Sequence, residues 1–268
     1  MLFRSGTQAQ QVTAAEAERL GFTTPARTAM AGRCSPRVEV AFEDAWGNPS
    51  PVTGPQPVSL VAAPPDGFRL FADAECAVEI SSGTVAAGQS AFGFYYLGTR
   101  AGQVTVAAMA SGFSPASQLE TVQATLPDRL GFLTPERELA AGSCSPVLIV
   151  QAQDSLGNPV AVDQQVAVAL TGSSPDVGFF SDGSCAVALA APALQPGHDA
   201  LSFYVRATAA GQATVTAAAF GVSASQPLLV SPGVTARLSF DPIASPQARN
   251  APFAVAVTAR DAWGNLTP

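Results

Sequence analysis

The chain has 268 residues, 47% of them hydrophobic and only 12% charged, with 23 Gly and 22 Pro as punctuation. That balance fits a turn-rich globular protein rather than a disordered one. The net charge of −7 and pI near 4.6 disfavour a phosphate backbone or an anionic lipid surface as partner. No run approaches the roughly 18 apolar residues of a membrane helix, and Met1-Leu2-Phe3-Arg4 is not followed by a signal-peptide core.

In chain order, short alternating runs between turn signals predict strands at Val38 to Phe42, Val58 to Leu60, Phe68 to Leu70, Ala77 to Ile80, Phe92 to Tyr96, Val104 to Ala108 and Leu119 to Val122. The series returns at Leu148 to Val150, Val166 to Leu170, Phe179-Phe180, Ala186 to Leu189, Leu201 to Val205 and Ala213 to Ala217. About seven strands per repeat, with turns every 8 to 12 residues, is the pattern of a Greek-key β-sandwich. No segment reads as a convincing helix. Ala14 to Glu18 has helical propensity but aligns with Ala124 to Asp128, where Pro127 argues for a linker.

The series returns because the chain repeats itself. Arg19-Leu20-Gly21-Phe22 recurs as Arg129-Leu130-Gly131-Phe132 and, loosely, as Arg237-Leu238-Ser239-Phe240. Cys34-Ser35-Pro36 recurs as Cys144-Ser145-Pro146. The turn Asp44-Ala45-Trp46-Gly47-Asn48-Pro49 recurs as Asp154-Ser155-Leu156-Gly157-Asn158-Pro159 and as Asp261-Ala262-Trp263-Gly264-Asn265. Repeats a whole domain long make an array, so function is to be sought at that level. The expected division is residues 1–18 as the last strand of a truncated repeat, 19–127 and 128–232 as complete domains, and 233–268 as the first strands of an incomplete third. Such a stub leaves Phe253, Val255, Val257 and Trp263 on an exposed strand edge, so poor order or self-association is expected beyond residue 234.

Four cysteines fall as one pair per copy, Cys34 with Cys76 and Cys144 with Cys185. A duplication that preserves both members makes pairing within each copy the simplest of three connectivities. Closing such a loop stabilises a domain by about 4 kcal/mol in the chain-entropy model and requires an oxidising compartment. The competing reading, a metal site, is short of ligands because the chain holds a single His, His198.

The residues quoted above resemble bacterial immunoglobulin-like repeats of the invasin and intimin type, the Big-1 domains. The Asp-x-x-Gly-Asn-Pro turn carries the resemblance, together with Thr99-Arg100-Ala101-Gly102-Gln103-Val104-Thr105-Val106 and its match Thr208 to Val215. It implies β-sandwiches used in surface-displayed rods and adhesins. The Cys pair in each copy departs from that family's commonest pattern, and no outer-membrane barrel or lectin-like tip is present in the sequence, so adhesive activity does not carry over.

In the turn, the Asp carboxylate can cap backbone N–H groups, Gly tolerates positive φ and Pro stops the incoming strand, which assigns Asp44, Gly47, Asn48, Asp154, Gly157, Asn158, Asp261, Gly264 and Asn265 structural roles. A calcium reading would use Asp44, Asp73, Asp154 and Asp182, but six to eight oxygens cannot be gathered from the sequence. A bulky apolar residue, Trp46, Leu156 or Trp263, sits in each turn and should be covered. Leu156 is expected to pack near the loop Gly98, Thr99 to Gly102 of the preceding domain, the alternative being that it folds back on its own sandwich. Tyr95 and Tyr204, beside Phe94 and Phe203, are expected in the core.

His198 aligns with Gln89, no motif places a nucleophile beside it, no phosphate loop is present and no Lys exists, so no catalytic residue, cofactor or metal is assigned. All 13 basic residues are Arg, as in a GC-rich bacterial coding sequence. The expected function is a non-catalytic stalk or spacer of a bacterial cell-surface or secreted protein, its partners being neighbouring Ig-like repeats. The alternatives are an adhesin-type module for a protein or glycan, and an accessory region of an exported enzyme. Between the copies the divergent loops are Ala62 to Gly67 against Thr171 to Gly178 and Ser81 to Ala87 against Ala190 to Pro196; without clustered Trp, Tyr or Arg they make poor hot spots.

Overall fold

A computed structural model describes residue 10 and residues 12–268, and every described element is a strand or a turn. The chain divides into two compact units, Met1–Thr125 and Leu126–Pro268. The strand expected within residues 1–18 falls largely outside the described residues. Residues 12–18 carry no strand, and Glu18 instead donates its N–H to the Glu43 carbonyl at 2.8 Å.

The first unit holds β1 (Arg19–Phe22), β2 (Thr28–Met30), β3 (Val38–Glu43), β4 (Gln56–Ala63), β5 (Phe68–Phe71), β6 (Ser82–Val85), β7 (Ala91–Gly98), β8 (Gly102–Met109) and β9 (Ala116–Gln123). They form two sheets, β1-β3-β7-β5 and β2-β9-β8-β4-β6, antiparallel except where β2 runs parallel to β9. Alternation explains the layering. Along β7, Phe94 and Tyr96 are fully buried while Tyr95 lies half-exposed, because successive side chains point to opposite faces. The core between the sheets is built from Val38, Val40, Phe42, Val58, Leu60, Phe94, Tyr96 and Val106, with Phe68 stacked on Tyr96 at 4.8 Å.

The second unit repeats this plan with β10 (Arg129–Phe132), β11 (Arg137–Ala140), β12 (Leu148–Gln153), β13 (Val166–Ala167), β14 (Ala169–Gly172), β15 (Val177–Phe180), β16 (Ala193–Leu194), β17 (Ala200–Ala207), β18 (Gly211–Ala219) and β19 (Val222–Ser231). Its sheets are β10-β12-β17-β15 and β11-β19-β18-β14, with the short pair β13-β16 beside them. Residues 233–268 belong to this unit and add one hairpin, β20 (Thr235–Phe240) with β21 (Val257–Asp261). Val234, Leu238, Phe240 and Phe253 remain half or more exposed there.

Two expectations need correction. Ala77 to Ile80 and Ala186 to Leu189 are not strands; each contributes one isolated bridge, Phe71 with Glu79 and Phe180 with Ala188. The cause is a carboxylate that takes the backbone donors a ladder would use: Asp73 accepts from the N–H groups of Glu75, Ala77 and Val78, and Asp182 from those of Ser184, Ala186 and Val187. Tyr95 and Tyr204 are not core residues. Their strand neighbours Phe94 and Phe203 take the inner face, leaving both tyrosines half-buried on the other.

Candidate functional site

The disulfides Cys34–Cys76 and Cys144–Cys185 close each unit, with Cα atoms 5.7 and 5.6 Å apart. Cys34 leads into β3 and Cys76 follows β5, the two strands that flank β7, so the bond straps one sheet at its rim rather than pinning two sheets through the core. Cys76 and Cys185 both sit at φ 53°, a left-handed conformation outside glycine's usual monopoly. The neighbouring residue explains why Cys-Ser-Pro recurs as a block. Buried Ser35 and Ser145 accept the N–H of Tyr96 and of Val205 through their hydroxyls at 2.9 and 3.0 Å, and each returns its own N–H to the same residue's carbonyl.

The Asp-x-x-Gly-Asn turn is the other shared constellation. Antiparallel pairing of Arg19 with Glu43 brings the turn after β3 back to the end where the domain begins. Asp44, 1% exposed, accepts from the N–H of Trp46 at 3.0 Å and of Asn48 at 2.9 Å and from the Asn48 amide, while Gly47 at φ 86° closes the bend. Asp154 with Leu156 and Asn158, and Asp261 with Trp263 and Asn265, repeat those bonds, with Gly157 at 88° and Gly264 at 92°. Above each glycine lies the arginine of the Arg-Leu-x-Phe block: a Cβ on Gly47, Gly157 or Gly264 would stand 3.0, 3.0 or 3.3 Å from a guanidinium nitrogen of Arg19, Arg129 or Arg237.

The turn also holds the chain that leads into its domain. Ala15 donates its N–H to Asp44 Oδ2 at 3.0 Å, and Gly233 does the same to Asp261 Oδ2 at 2.8 Å. In both cases this is the residue four positions before the repeat's arginine. The Asn48 amide, followed by these backbone donors, holds the Asp44 carboxyl at about 2. For Asp261 burial pulls upward, yet the Asn265 amide and the Gly233 N–H outweigh it and also leave it near 2. Both folded values lie below the ordinary 3.8, so the stabilisation is complete above that value and is lost as pH falls from about 4 through about 2. Thermal melts between pH 5 and 2 should show this loss, and Asp44→Asn should flatten the acid slope of the first unit while lowering its stability at pH 7.

The carboxylates considered for calcium are thus occupied with N–H donors, and among the described residues no three His, Cys, Asp or Glu side chains group as a cation site. His198 and its counterpart Gln89 are exposed loop residues whose carbonyls accept from Val162 and Val52 in matching fashion. Two surface grooves, one lined by Glu136, Arg137, Thr214 and Leu228 and the other by Asp66, Phe68, Arg69 and Thr99, contain neither His nor Cys. Leu156 is 47% exposed on the turn of the second unit; in the first, Gly98 closes β7, Thr99 lies in the β7–β8 loop and Gly102 opens β8.

One buried acid was not visible in the sequence. Glu120 on β9 is fully buried and accepts the Arg27 N–H at 2.6 Å and the Gln118 amide at 2.9 Å. Burial pushes its pKa up, and the Tyr96 hydroxyl, which donates to the Arg27 carbonyl at 2.8 Å, is raised by burial and by the nearby Glu120 charge. The matching place opposite Ala213 in the second unit is Leu228. A group replaced by leucine in the other copy serves packing in its own unit.

No protein-family model and no curated protein sequence matches the chain. Among solved structures it is similar to domains 4–9 of the surface layer protein SbsC, at 17% identity and a TM-score of 0.34, over 95% of this chain and 38% of that one. It is similar to invasin, a bacterial integrin-binding protein, at 16% identity and a TM-score of 0.39, over 92% of this chain and 47% of that one. It is also similar to the Yersinia pseudotuberculosis adhesin InvE, at 18% identity and a TM-score of 0.30, over 76% of this chain and 56% of that one. The chain spans less than two thirds of each of these structures.

Proposed function

We propose that this chain is a non-catalytic stalk or spacer segment of a bacterial cell-surface or secreted protein. The observation that carries the reading is where the repeated residues go. Cys, Ser, Asp, Gly, Asn and Arg of the shared motifs are all engaged in closing loops, capping backbone donors and seating turns, while the position occupied by His198 or Gln89 is an exposed loop. Side chains committed to their own backbone hold shape rather than contact a substrate. Two disulfides support an oxidising, extracytoplasmic location.

A glycan array and a pull-down against host-surface proteins with the 268-residue chain test the proposal. Absence of saturable binding is the expected result. Saturable binding that disappears when residues 62–67 or 171–178 are exchanged for Gly-Ser would replace the stalk with an adhesin.

A further inference from the structure

The second unit shows what the Asp-x-x-Gly-Asn turn does beyond its own fold. The Asn265 side chain acts as a two-point adaptor: its Nδ2 donates to the Thr208 carbonyl at 2.8 Å and its Oδ1 accepts the Ala210 N–H at 2.8 Å. Thr208 to Ala210 is the loop between β17 and β18, at the end where the sandwich chain departs, since Gly211 pairs with Val230 near the close of β19. Trp263 of the same turn lies on Gly142, where a Cβ would stand 2.2 Å from the indole Nε1. Gly142 is tied to that loop's start, because its N–H is donated to the Ala207 carbonyl at 2.8 Å. The receiving face therefore offers a carbonyl and an N–H two residues apart, next to a glycine at φ 83° whose missing side chain admits an indole.

The turn at 44–48 carries the same residues. Its Asp, Trp, Gly and Asn are identical to those at 261–265, and its incoming-chain bond, Ala15 to Asp44, matches Gly233 to Asp261. The difference is exposure: Trp46 keeps 78% of its surface and Asn48 is exposed, whereas Trp263 keeps 53% and Asn265 is half-buried. The exposed Trp46 indole stands on a turn whose carboxylate, glycine and incoming-chain bonds match those that, at 261–265, set Trp263 on Gly142.

We infer that Trp46 and Asn48 form a docking surface for the trailing end of another immunoglobulin-like sandwich, one that presents a Thr208-Ala209-Ala210-type loop beside a Gly142-type turn. The inference deepens the stalk reading and rests on it: the docked sandwich is held to the 44–48 turn by the Asn48 amide and by a glycine seat for Trp46, with Asp44 holding the incoming chain.

Two measurements test it. In the 268-residue chain, Asn265→Ala should speed hydrogen exchange at the Ala210 amide at least tenfold while leaving Val205 and Val215 protected, and an unchanged Ala210 rate overturns the adaptor role. In a Trp263→Phe background, a further copy of residues 126–232 placed directly before Ala15 should blue-shift Trp46 emission and cut its iodide quenching about threefold. Asn48→Ala in that extended chain should restore the quenching. Trp46 quenched equally with and without the added domain overturns the docking surface, with the third disulfide-closed unfolding transition serving as proof that the added domain is folded. Neither result depends on ligand binding, so the docking surface can fail while the stalk reading stands.

Discussion

Replacing Cys144 and Cys185 together by serine is expected to destabilise the second unit by about 4 kcal/mol and to lower its melting temperature by more than about 10 °C, with the first unit unaffected. The bond joins residues 41 apart in sequence. Its removal acts chiefly on the unfolded chain, because the folded loop keeps its other support: Asp182 still receives the N–H groups of Ser184, Ala186 and Val187. Those donors and the Ser184 hydroxyl hold the Asp182 carboxyl near 2, so the loop stays capped at neutral pH. The variant should therefore fold to the same sandwich with a lower midpoint. Cys34→Ser with Cys76→Ser should mirror the effect in the first unit, where Asp73 caps the equivalent loop. Differential scanning calorimetry of the two double variants checks this, and equal midpoints with and without the bonds would contradict it.

Phe203→Ala should cost the second unit about 3–5 kcal/mol, the range for deleting a buried ring whose surroundings relax only in part. Phe203 is fully buried on β17 opposite Leu148 and meets Phe132 edge-on at 6.4 Å and Phe179 at 6.0 Å. Its counterpart Phe94 meets Phe22 at 6.5 Å and Phe92 at 6.2 Å in a separate core. Because the two cores share no residue, each substitution should move one calorimetric transition and leave the other in place. Equal displacement of both transitions by Phe203→Ala would show that the two units unfold as one.

Much of this architecture was legible because it is written twice. Pairs of cysteines 42 and 41 apart, and alternating runs such as Val38 to Phe42, keep their meaning when read one residue at a time. What alternation could not reveal was its phase. Phe94, Tyr95 and Tyr96 are all aromatic, and only the pairing of β7 with β3 and β5 decides that Tyr95 faces outward. Nor could a run of apolar residues show that Asp73 and Asp182 would capture its backbone donors, since side-chain capping competes with a ladder on nearly equal terms. Glu120 escaped for a related reason: its burial depends on the Arg27 N–H, 93 positions away. The bulky residue between Asp and Gly was legible as something in need of cover, and Trp263 on Gly142 displays the kind of surface that covers it.

Stretching single molecules, oxidised and then reduced, tests most directly the claim that each unit is an independent, covalently closed sandwich. The account predicts two separate unfolding events, each of which gains about 150 Å of contour length on reduction as the 42- and 41-residue loops are released. Contour lengths that do not change on reduction, or one event that unravels the whole chain, would contradict it.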